Sequence, residues 1–121
     1  DVFIFHGFAD HKNIFKNPYN IYIHTSTSPE PFGRTIIENM FQGIPVIATN
    51  MGGVKDIIID NYNGHLFDPE NIDELLKKIN LLDNNKCSIQ VVKNARKTVE
   101  NFFSGKLQSK MINKIYTDMI E

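Results

Sequence analysis

The sequence predicts an α/β fold: a parallel sheet with flanking helices and a helical C-terminal tail. Three observations carry this. Short apolar runs at residues 2–5, 19–25, 46–48 and 65–67 have the length of buried strands, and the intervening segments are long enough for crossover connections. Over residues 32–42 the apolar set Phe32, Ile36, Ile37, Met40 and Phe41 recurs with helical spacing, giving one face to lie on a sheet. Beyond residue 70 the pattern becomes helical throughout. The chain reads as part of one domain, with an α/β portion at 1–70 and a helical portion at 71–121.

Each element has its own signal. The run at 2–5 ends at His6-Gly7, and Phe8 and Asp10 follow in a loop, where Phe8 also reads as core and Asp10 as a helix N-cap. Residues 11–17 suit a short helix closed by Pro18. The strand at 19–25 leads to the helix at 32–42, which Gly43 terminates, and Pro45 opens the next strand. Gly52-Gly53 then marks a loop at a strand's carboxyl end; a lone Gly-Gly pair more often marks a turn. Residues 54–60 read as a short helix and 61–64 as a turn. Asn71 with Glu74 three residues on makes a capping-box-like start, and Ile72, Leu75, Leu76, Ile79 and Leu82 form one stripe. Helices are expected at 88–102 and 104–120, the latter capped by Ser104, with Met111, Ile115 and Met119 as packing residues.

Composition excludes several classes. The chain has 121 residues, 41% apolar content and a formal charge of −1, which gives no broad attraction for nucleic acid. Residues 1–70 carry 4 basic and 8 acidic side chains, and residues 71–121 carry 9 and 6. The basic helical tail reads as a solvated face, with contact to an anionic membrane surface as the alternative. Cys87 is the only cysteine, so no internal disulfide forms, which fits a cytoplasmic location. No run approaches the ~18 apolar residues of a membrane span, and no signal-peptide pattern occurs. His6, His11, His24 and His65 lack the spacing of a zinc site. His24 ends a strand, as either a ligand contact or a structural histidine. The chain starts at Asp1 in a strand-like run, the expectation being a fragment.

The chemistry concentrates in Glu30-Pro31-Phe32-Gly33-Arg34-Thr35-Ile36-Ile37-Glu38. In an open α/β sheet, ligands bind outside the carboxyl ends of the strands, where Glu30 falls. With Phe32, Gly33 and Arg34 in a helix's first turn, main-chain N–H groups without intrahelical acceptors and the positive end of the dipole make an anion site. Gly33 permits close approach to the backbone. Carboxylates repel phosphate but accept hydrogen bonds from hydroxyls. A ligand with phosphates in the middle and polyols at both ends, a sugar nucleotide, satisfies the set. As an arbitrary pair, Glu30 is a solvated loop acid, and Glu38 a water-facing residue four positions from Arg34, its natural ion-pair partner.

The run from Ser26 to Thr49, with Glu30-Pro31-Phe32-Gly33, Glu38 and Gly43-Ile44-Pro45-Val46-Ile47-Ala48-Thr49, resembles the nucleotide-sugar site of family 4 retaining glycosyltransferases. The likeness continues through Gly52-Gly53 and Asn63-Gly64-His65-Leu66-Phe67, and covers nearly the whole chain. It implies the GT-B plan of two Rossmann-like domains, with this chain as the later part of the C-terminal, donor-binding domain. By resemblance, Glu30 is the catalytic residue of the motif and contacts a hydroxyl of the transferred sugar. The amides of Phe32, Gly33 and Arg34 meet the sugar and diphosphate, and Glu38 the ribose. Phe8 lies in the loop that meets the base, and Gly52 and Gly53 in the loop flanking the donor. The family transfers a sugar from a nucleoside-diphosphate sugar to an acceptor hydroxyl with retention of configuration, on one face of the sugar.

The resemblance further implies no metal and no cofactor beyond the donor substrate, because helix dipole and basic side chains stabilise the departing diphosphate. It implies a sugar, lipid-linked or other hydroxyl acceptor, a missing N-terminal domain, and no turnover by this chain alone. In the six-strand order 3-2-1-4-5-6, the chain starts at the third strand. Residues 2–5 would then pair abnormally with the strand at 21–25 or leave an open edge. Other readings are a sugar-nucleotide epimerase or phosphorylase on the same plan, against which the acid spacing argues, and a non-catalytic nucleotide-binding or scaffold domain.

Overall fold

A computed structural model describes Gly7, residues 21–83 and residues 86–120. The expected strand at 2–5 and its pairing, the helix at 11–17, and His6, Phe8, Asp10 and His11 lie outside those residues.

Strands β1 (Tyr22–His24), β2 (Val46–Thr49) and β3 (His65–Phe67) form a parallel sheet in the order β1-β2-β3. Ile47 pairs with Ile23 on one side and with His65 on the other. Parallel neighbours need crossovers; α1 (Arg34–Gln42) joins β1 to β2, and the single turn α2 (Val54–Ile57) joins β2 to β3. Helices α3 (Ile72–Asp83), α4 (Lys86–Phe102) and α5 (Gly105–Ile120) follow.

The central strand explains the layering. All four residues of β2 are buried, and successive side chains point to opposite faces. Val46 and Ala48 pack with Ile36 and Met40 of α1, Val54 and Ile57 of α2, and Ala95 and Val99 of α4. Ile47 turns the other way, to Phe67 and to Leu82, Leu75 and Ile79 of α3. Helices thus cover both faces, which is why the strand is a continuous apolar run.

Local caps fix the helix ends. Gly43 adopts the left-handed conformation (φ 80°), its N–H donating to Met40 O at 3.2 Å while Ile44 N–H donates to Asn39 O at 3.0 Å. Before α3, Glu74 N–H donates to Asn71 Oδ1 at 3.1 Å, and Glu74 Oε2 accepts from Asp68 N–H at 2.8 Å. Leu107 N–H donates to Ser104 Oγ at 3.3 Å at the start of α5. A buried asparagine holds the turn before β3: Asn63 Oδ1 accepts from Ile59 N–H at 2.8 Å, and its Nδ2 donates to Ile57 O at 3.0 Å.

Several expectations need correction. The helix expected from Phe32 begins at Arg34, because Gly33 is left-handed (φ 61°) and cannot be its first turn. The helix expected over 54–60 stops at Ile57: Ile58 is extended, and Asp60 bridges to Gly64. In α3, Ile72 and Leu76 are exposed. At about 100° per residue they lie on one flank of the narrower stripe made by Leu75, Ile79 and Leu82. Met111, Ile115 and Met119 are 58, 58 and 76% exposed rather than packed, since no element among the described residues lies against that face of α5.

Candidate functional site

Two loops meet at the carboxyl end of the sheet. One leaves β1 and carries Glu30; the other leaves β2 and carries Gly52 and Gly53. Thr49, the last residue of β2, donates its hydroxyl to Ser26 O at 2.9 Å. Four residues on, Gly53 N–H donates to Glu30 O at 2.9 Å. Gly52 is left-handed (φ 53°), and a Cβ there would stand 2.9 Å from both the nitrogen and the oxygen of Glu30. A Cβ on Gly53 would stand 2.5 Å from Pro31 O.

The Glu30 loop runs directly into α1. Gly33 N–H donates to Glu30 Oε1 at 3.2 Å, so one main-chain donor at the helix start is taken by the acid itself. Gly33 O accepts from Ile36 N–H at 3.0 Å and Ile37 N–H at 3.2 Å. The N–H groups of Arg34 and Thr35 have no acceptor among the described residues. They are the open donors at the positive end of the helix, one position further along the chain than the sequence pattern suggests.

The second acid lies along the helix. Arg34 Nε donates to Glu38 Oε1 at 3.0 Å, while Glu38 Oε2 is shut from solvent. The rise of ~1.5 Å per residue puts the Glu38 Cα about 7.5 Å along the axis from Gly33, whose N–H holds Glu30. Glu38 lines a groove of about 550 Å³ walled by Ile37, Phe41, Val99 and Phe103, and the Glu30 loop does not line that groove. Phe32 is exposed, its ring edge-on to Phe103 at 6.3 Å. Phe8 lies outside the described residues. His24 has a structural partner, with Tyr22 OH 3.3 Å from its Nδ1 and donating to Thr35 Oγ1 at 2.9 Å.

Sequence spacing does not single out Thr49 and Ser26 as a pair. Their contact joins residues 23 positions apart, and no local spacing announces it. Among the described residues, no three His, Cys, Asp or Glu side chains converge as a metal would require. No described helix is long and apolar enough to cross a membrane.

Residues 1–100 match the sequence model described as glycosyl transferases group 1. The chain belongs to that family. This group 1 chain is 36% identical over 110 residues to a sucrose synthase of Denitrovibrio acetiphilus, covering 86% of this chain and 13% of that protein. Its fold matches the crystal structure of Anabaena Alr3699/HepE in complex with UDP with a TM-score of 0.77 and 31% identity, covering 82% of this chain and 28% of the other. A glycosyltransferase from Rickettsia africae matches with a TM-score of 0.76 and 35% identity, covering 84% and 28%. The group 1 chain therefore spans between 13 and 28% of the length of these relatives.

Proposed function

We propose that this chain is the donor-binding part of a family 4 retaining glycosyltransferase, which moves a sugar from a nucleoside-diphosphate sugar to an acceptor hydroxyl. The observation that carries the reading is the start of α1: two open N–H donors, Arg34 and Thr35, beside the Glu30 carboxylate. Donors and helix dipole suit the diphosphate, and Glu30 suits a sugar hydroxyl. Glu38, about one turn along the same helix, is assigned the ribose hydroxyls. The UDP held by Anabaena HepE, and the UDP-glucose in a second structure of it, support a nucleotide-sugar donor.

In the reaction, the bond between the anomeric carbon and the diphosphate oxygen breaks as the acceptor oxygen bonds to the same face. The acceptor proton passes to the leaving phosphate. Charge on that phosphate is met by main-chain donors rather than by a metal. Glu30 orients the sugar and forms no covalent bond.

The test is to incubate the full-length protein with a panel of sugar nucleotides and acceptor sugars, measuring released nucleotide and the anomer of the product by NMR. Nucleotide release with a retained glycosidic product supports the reading. An inverted product removes the retaining assignment, nucleotide binding without release indicates a non-catalytic domain, and a free epimerised sugar indicates an epimerase.

A further inference from the structure

We infer that Gly52 and Gly53 are positioning residues: they set where the Glu30 carboxylate stands by giving its main chain a seat, and they do not themselves hold the donor. The inference rests on the transferase reading above. It starts from how little room lies between the two loops. A β-carbon at position 52 would fall 2.9 Å from Glu30 N and O and 3.1 Å from Pro29 Cα, and one at 53 would fall 2.5 Å from Pro31 O. These neighbours are backbone atoms, which cannot rotate away as a flexible side chain can. The absent side chains face the Glu30 loop, so the space that glycine creates here is filled by protein.

The contact is also bonded. Gly53 N–H donates to Glu30 O at 2.9 Å, and Thr49 Oγ1 donates to Ser26 O at 2.9 Å, so the loop after β2 grips the acid loop at two points. Gly52 is left-handed at φ 53°, a conformation that costs other residues energy and turns the Gly53 N–H onto its acceptor. On the far side, Glu30 Oε1 accepts from Gly33 N–H at 3.2 Å. Main chain and carboxylate of Glu30 are thus both fixed, one by β2's loop and the other by the start of α1. Moving the first contact by a few tenths of an ångström moves the carboxylate relative to the donors of Arg34 and Thr35. Displacements approaching 1 Å at a reacting group cost on the order of 10²-fold in rate.

The experiment uses the full-length protein with Gly53→Ala, alone and combined with Glu30→Ala, and reads kcat, donor KM, nucleotide affinity by calorimetry and melting temperature. Gly53→Ala is expected to lower kcat by about 10- to 100-fold, leaving nucleotide affinity within about twofold. In the Glu30→Ala background the same change should cost less than about twofold, because its route of action is already gone. Equal losses in both backgrounds, or a fall in nucleotide affinity matching the fall in rate, overturn the inference in favour of direct donor contact or general structure. Should Gly53→Ala not fold, Thr49→Val removes the other grip on the loop at nearly constant volume. It should show the same dependence on Glu30, and its absence overturns the inference equally. A wild-type protein that turns over no sugar nucleotide overturns the transferase reading itself, and this inference with it.

Discussion

Arg34 and Glu38 face each other across one turn of α1, the guanidinium Nε donating to Oε1 at 3.0 Å. Arg34 is 83% exposed and Glu38 27%. The pair therefore adds little stability; exposed i,i+4 pairs contribute about 0.3–0.5 kcal/mol. Its use is to restrain the Glu38 carboxylate, whose other oxygen is turned away from water.

Glu38→Ala in the full-length protein should weaken nucleotide-sugar binding by roughly 10- to 100-fold, the loss of a charge-assisted hydrogen-bond acceptor worth about 1.5–3 kcal/mol. The melting temperature should move by only a few degrees. Calorimetric titration with the donor checks this, and an unchanged affinity removes Glu38 from the site.

Glu30→Gln keeps the size of the side chain but exchanges a charged acceptor for a neutral amide. Turnover should fall by on the order of 10²-fold with nucleotide affinity nearly unchanged, since the proposed role concerns the sugar end of the donor. Steady-state kinetics with the preferred donor decides it. A rise in KM alone would place Glu30 in ground-state binding.

Asn63 is buried and bonded through both ends of its amide, to Ile59 N–H, Ile57 O and, at 3.2 Å, Thr98 Oγ1. Asn63→Leu strands the Ile59 donor and Ile57 acceptor, and overfills the site. A loss of about 2–4 kcal/mol follows. Denaturant unfolding measures it, and a loss below about 1 kcal/mol would show that water replaces those bonds.

His65 gives the fold a pH dependence. It is buried at the start of β3, with Nδ1 3.0 Å from Asn61 Oδ1. Burial first, and the Lys78 ammonium second, push its pKa below the ordinary histidine value, against an opposing pull from Asp60. The unfolded chain accordingly takes up a proton near pH ~6.5 that the folded chain refuses until lower pH. Stability should fall as the pH drops below about 6.5 and level off once the folded form is protonated. His65→Gln should flatten the change in melting temperature between about pH 7 and 5.5; an unaltered slope would assign the effect elsewhere. Asp60 acts lower on the scale. Partial burial opposes its ionisation, but the Lys78 ammonium and the Leu66 N–H outweigh that and hold its pKa below the usual value.

The features legible in the sequence are those that a few neighbouring residues decide. Gly43 ends α1 with its own carbonyl partners three and four residues back, Asn71 and Glu74 open α3, and Ser104 opens α5; each is complete within one turn of chain. The place of Glu30 between a strand and a helix is legible because the three succeed one another directly. What stayed hidden depends on contacts between distant segments. Gly52 and Gly53 read alone as a turn and by resemblance as a loop flanking the donor; their close approach to the Glu30 backbone is not written in either. Helix α1 starts two residues later than the apolar pattern predicts, because the sequence does not reveal that Gly33 is left-handed. Met111, Ile115 and Met119 have the spacing of a packing face, and spacing cannot say whether anything packs there.

Helix α1 has a stop at each end: Gly33 and Gly43 both have positive φ, 61° and 80°. Nine residues between two such stops form a spacer of about 13.5 Å that can neither creep forward nor fray backward by a residue without leaving glycine's territory. One inserted residue within its first turn would swing Glu38 by about 100° around the axis relative to the Glu30 loop. Under the proposed reading, the count of residues between the two acids is therefore a dimension of the binding surface, as fixed as the identity of either acid.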